Sequence, residues 1–204
     1  MSSIVAQVPT TAPDITSFGA GGQQYIASLR GGFNVSAETQ NPLFAFSATD
    51  TNVTNARQLT NLTEARKVGS TMAFRAVRLG LRVVSFGSGV VSLDDLAEMK
   101  RLLASAEIVL TYGSNETRVA EFSGLDLMEP VDAVAADATN TAATSAGLGG
   151  GIGWIPLAMP IEIQANVNIG GYVRFTRPVP ASLYSTPNSF GFVVVLQGLK
   201  VVKS

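Results

Sequence analysis

The sequence predicts an all-β, antiparallel two-sheet sandwich of about eight strands with one inserted α-helix. Three observations lead there. Runs with a period of two, apolar residues alternating with others, recur along the chain. Only one segment has the spacing and end signals of a good helix. Strands do not alternate with helices, which disfavours a parallel α/β sheet and leaves a sandwich. The length, 204 residues, fits one such domain and buries roughly 70% of the unfolded surface.

Taken in order, residues 1–30 read as an extended arm and residues 31–204 as the β domain. In the arm Pro9, Pro13 and "FGAGGQQ" break regular structure, while Ile4, Ile15, Phe18, Tyr25 and Ile26 offer scattered anchors. "PLFAFSA" (42–48) is a short strand with Phe44 and Phe46 on one face. "NARQLTNLTEARKVG" (55–69) reads as a short helix or a loop. "TMAFRAVRLGLRVVSFG" (71–87) is a long strand. In strict alternation Arg75, Val77, Leu79, Leu81 and Val83 share the core face, and Phe74, Ala76, Arg78, Gly80 and Arg82 the other.

"SLDDLAEMKRLLAS" (92–105) is the helix. Ser92 is the N-cap, with Asp95 three residues on in capping-box position. Asp94 and Asp95 suit the positive helix start, and Lys100 and Arg101 its negative end. Leu93, Leu96, Met99 and Leu103 form the apolar stripe. "EIVLTYG" and "TRVAEFSG" follow as a hairpin around "SNE". Residues 131–153, rich in Ala, Thr and Gly, read as a long loop. "MPIEIQANVNIGGYVRF" contains two short strands broken near Gly170–Gly171. After a proline-marked stretch, "FGFVVVLQGLKVV" (190–202) closes the domain. Phe192, Val194 and Leu196 face the core. Val193 and Val195 are apolar too, so this second face must lie under another segment or another subunit.

Composition narrows function. Apolar residues make up 46% and charged residues 14%, against a usual ~25% charged, which suits a subunit buried in contacts with copies of itself. The net charge is −1 and there is no basic tail, so direct nucleic-acid binding is not expected. The N-terminal stretch lacks signal-peptide features and no run is apolar enough to span a membrane.

Histidine and cysteine are absent. Triads, thiol chemistry and zinc sites are therefore excluded, and no cofactor is expected. "GLGGGIG" (147–153) fits no phosphate-loop spacing and no lysine follows. Glu107, Glu121, Asp126, Glu129 and Glu162 could in principle supply a glycosidase pair, but nothing in their spacing marks one. Trp154 reads as a core or interface anchor.

The segments "PLAMPIEIQANVNIGGYVRFTRPVPASL" and "FGFVVVLQGLKVV" resemble the end of a single jelly-roll viral capsid protein, of the kind found in tailless icosahedral phages. The carrying residues are Phe192, Val194, Leu196, Gly198, Lys200 and Val201, together with the helix 92–105, and the likeness covers about 72–202. It lacks the basic arm of many small RNA-virus capsids. The resemblance implies a jelly roll and a non-enzymatic structural subunit of an icosahedral shell, assembled in the host cytoplasm with copies of itself and other shell proteins. Phe18, Tyr25, Trp154, Val193 and Val195 are the expected assembly contacts. The alternatives are a jelly-roll carbohydrate- or receptor-binding module and a glycan hydrolase.

Overall fold

The computed structural model describes residues 23–86, 92–127, 154–185 and 189–202. In chain order the elements are β1 (Gln23–Asn34), β2 (Gln40–Pro42), α1 (Ala56–Leu59), β3 (Met72–Ser85), α2 (Leu93–Ala104), β4 (Ala106–Tyr112), β5 (Thr117–Ser123), β6 (Trp154–Ile163), β7 (Ile169–Phe175) and β8 (Phe190–Val202). Short 3-10 turns occupy Gly124–Leu127 and Ala181–Leu183.

The strands form two four-stranded antiparallel sheets, ordered β1-β8-β3-β6 and β2-β7-β4-β5. The order is nested: β1 pairs with β8, β2 with β7, β3 with β6 and β4 with β5. This is the strand arrangement of a jelly roll, so the predicted fold class is the observed one. Of the segment read as an arm, Gln23–Arg30 is strand, paired from Gln23↔Val202 to Arg30↔Val195. Residues 1–22, Phe18 among them, lie outside the described residues, as does the expected loop at 131–153.

Both sheets feed one core. Leu79, Leu81, Phe192, Val194 and Leu196 meet Ile108, Leu110, Val173 and Phe175 across it. Phe33, Phe175 and Phe192 form an aromatic cluster with centroids 5.5–6.3 Å apart, a spacing at which rings attract through their quadrupoles. Helix α2 covers one end. Its capping box is complete: Ser92 Oγ accepts from the Asp95 N–H (3.1 Å) and the Asp95 carboxylate accepts from the Ser92 N–H (3.2 Å). Met99 and Leu102 are fully buried and Leu103 packs against the core. Leu102 thus belongs to the stripe that the sequence spacing assigned to its neighbour.

Three local expectations are corrected. In β3 the pairing shifts between Ala76 and Arg78. The extra residue of this bulge, Val77, reverses the alternation, so Phe74 and Ala76 face the core before it, and Leu79 and Leu81 after it. Arg75 is on the outside, ion-paired to Glu162 at 2.9 Å. The strand expected at 42–48 is only Gln40–Pro42, because Phe44 takes a left-handed backbone (φ 57°) and turns fully inward. Its ring packs where a Cβ on Gly31 would stand, so position 31 admits only glycine. Between β6 and β7 the break falls at Gln164–Asn168, where Asn166 is left-handed (φ 61°), while Gly170 and Gly171 lie inside β7.

Candidate functional site

The two sheets differ on their outer faces. In the β1-β8-β3-β6 sheet, the face away from the core carries Val193 and Val195 of β8. They are 1% and 2% exposed, in a second apolar cluster with Leu59 of α1. Phe46, Val53, Val84, Phe86 and Trp154 pack against this cluster. The cover is the segment between β2 and β3. It is fastened to the free edge of β1 by a side-chain amide that imitates a strand. Asn61 Oδ1 accepts from the Arg30 N–H (2.7 Å) and Asn61 Nδ2 donates to the Ser28 carbonyl (2.7 Å). Thr60 Oγ1 donates to the Arg30 carbonyl (2.9 Å).

Val193 and Val195 are therefore covered by another segment of the same chain, and offer no surface to a second one. Trp154 opens β6, is half-buried against this cluster and holds the Arg78 guanidinium 5.1 Å from its ring centroid. Tyr25 pairs with Lys200 in the β1–β8 ladder.

The outer face of the β2-β7-β4-β5 sheet is mostly polar, with Val109 buried among its side chains. Arg174 Nε donates to Glu107 at 2.8 Å across the β4–β7 pair. Arg118 is shared between Glu121 (3.3 Å) and the Tyr172 hydroxyl (3.2 Å). Glu107 and Glu121, two of the carboxylates considered for hydrolysis, line one shallow depression with Ser105, Ser123 and Thr176. Each is held by its own arginine, and among the described residues Phe122 is the only aromatic side chain lining the depression. Glu162 belongs to the other sheet, Asp126 accepts from the Ser123 N–H (3.0 Å), and Glu129 is outside the described residues.

Among the described residues no three acidic side chains gather into a set that could hold a metal, and no helix is long and apolar enough to cross a membrane. A cavity of about 50 Å³ beside Leu29, Val68, Met72 and Phe74 has room for water but not for a sugar ring.

Among the described residues the large apolar side chains left exposed are Ile26 (76%), Val119, Leu125 and Met159 (82%). Ile26 lies on β1 and Met159 on β6, the two edges of the first sheet. Val119 lies on β5, an edge of the second, and Leu125 on the turn that follows it. Sequence reading named Ile26 only as an anchor of the arm and missed Met159. Between the β3 pairings of Ile161 and Pro156, β6 runs through residues 157–160 with no partner on β3, which leaves Met159 outside. Strict alternation gives no sign of that irregularity.

No protein-family model matches the chain, and no curated protein matches it.

Proposed function

We propose that the chain is a structural subunit that associates laterally with copies of itself, as the subunits of an icosahedral virion shell do, and that it catalyses nothing. The observation that carries this reading is where the exposed apolar residues lie. Ile26, Met159, Val119 and Leu125 line the sheet edges and the turn beside one of them, not a pocket. A rim of apolar contacts suits repeated side-to-side interfaces, in which buried area and shape supply the affinity.

The edges are shaped against indiscriminate strand pairing. Pro156 and Pro160 interrupt β6, Pro42 ends β2, Val119 sits at a register shift in β5, and Asn61 occupies part of the β1 edge. Contacts between copies would then run through side chains and not through open backbone ladders. The jelly-roll strand order and the capsid-like C-terminal pattern support the same reading. Assembly in the host cytoplasm follows from it.

Size-exclusion chromatography with light scattering on the purified chain tests it. The expected result is a discrete multimer, reduced to monomer by the pair Ile26→Lys and Met159→Lys with melting unchanged. A parent chain that stays monomeric at millimolar concentration contradicts the proposal.

A further inference from the structure

The chain has ten arginines. Six are ion-paired: Arg66 with Glu116, Arg75 with Glu162, Arg101 and Arg177 with Glu98, Arg118 with Glu121, and Arg174 with Glu107. The other four, Arg30, Arg57, Arg78 and Arg82, have no carboxylate partner among the described residues. All four belong to the first sheet or its cover. Register puts Arg82 beside Val193, Arg30 beside Val195 and Arg78 beside Gln197, which is the outer face. Arg78 and Arg82 are exposed. A net charge of −1 thus conceals a local imbalance: β3 and β6 carry one neutralised pair, Arg75–Glu162, and beside it two exposed arginines with no carboxylate partner among the described residues.

We propose that this outer face, along β3 and β6, binds a single-stranded polynucleotide through Arg78 and Arg82, with Trp154 contributing. The expectation of no nucleic-acid binding rests on the total charge and the lack of a basic tail; affinity for a polyanion also follows the local distribution on a folded face. Three features select this partner. Among the described residues the uncompensated cations are arginines, whose planar fork meets phosphate oxygens two at a time. Trp154, half-exposed beside Arg78, supplies the aromatic ring on which a base stacks.

The third feature is spacing. Arg78 and Arg82 stand exposed four residues apart on β3, a strip about 13 Å long at ~3.3 Å per residue.

The test uses the full chain, its monomeric fraction, and a labelled 20-residue oligodeoxythymidine followed by anisotropy from low to moderate salt. Working on monomer separates this inference from the assembly reading. With two arginines on phosphates, the plot of log K against log salt should have a slope of roughly −1.4, at about 0.7 per phosphate for a single strand. The double variant R78Q/R82Q, melting like the parent, should lose about 1.4 of that slope. R174Q, on the other sheet, should change neither slope nor affinity. Because Trp154 is the only tryptophan, its emission should fall as the oligonucleotide binds. Absence of binding at low salt overturns the proposal, as does a slope that R78Q/R82Q leaves unchanged. Tighter binding of heparin with the same arginine dependence would reassign the strip to a sulfated glycan and overturn it as well.

Discussion

The outer faces of the two sheets bury and expose opposite things. One carries an apolar row on β8, Val193 and Val195, sealed by Leu59 and its neighbours. The other carries Arg174–Glu107 and Arg118–Glu121 in contact with solvent. The apolar face is a second small core and should be expensive to disturb. The charged face is a set of solvated ion pairs and should be cheap, since exposed pairs of this kind contribute about 0–1 kcal/mol. Looking at the strand alone, one would ask what partner covers β8. The structure answers that the chain covers it with the segment between β2 and β3.

The largest expected effect is on β8 itself. Val194→Asp places a carboxylate in the main core and Val195→Asp places one under the cover. Both should abolish folding or cost more than about 4 kcal/mol, because a buried unpaired charge has nothing to compensate its lost hydration. The sequence reading, which left open an intersubunit role for Val195, would have the second variant fold normally; circular dichroism on the two separates the accounts.

A step smaller is Leu59→Ala. It removes the fully buried anchor of the cover and should cost about 2–4 kcal/mol in urea unfolding. Asn61→Ala removes both hydrogen bonds to the β1 edge. A loss of about 1–2 kcal/mol is expected, with faster amide exchange at Arg30, whose N–H the Asn61 carbonyl accepts. Smallest is Arg118→Gln on the charged face. Its effect on the melting midpoint should correspond to less than about 1 kcal/mol and should vanish in high salt. A larger loss there than at Leu59 would break the comparison.

These contrasts also mark what could be read beforehand. The two-faced apolarity of 190–202, the Ser92–Asp95 cap and the β4–β5 hairpin follow from local spacing, and local spacing is visible in a sequence. The bulge at Val77 is not. It depends on the register against β8, and it alone moves Phe74 and Ala76 to the core and Arg75 out. Phe44 looked like a strand residue because its type favours strands, yet tertiary packing on Gly31 holds it in a left-handed turn. The candidate surface was half legible. Arg78 and Arg82 flanking Gly80 could be seen on one strand, but that Glu162 on the neighbouring β6 pairs with Arg75 and not with them is a property of register. Met159 was missed because the irregularity in β6 overrides alternation.

The central claim is that one chain suffices to bury both faces of β8. Urea unfolding of Val195→Ala against the parent, each at two protein concentrations tenfold apart, tests it most directly. The account expects a loss of about 2 kcal/mol that is the same at both concentrations, because the cavity opens inside a single chain. A loss below about 0.5 kcal/mol for the monomer, growing with protein concentration as linkage to a second subunit demands, would contradict it.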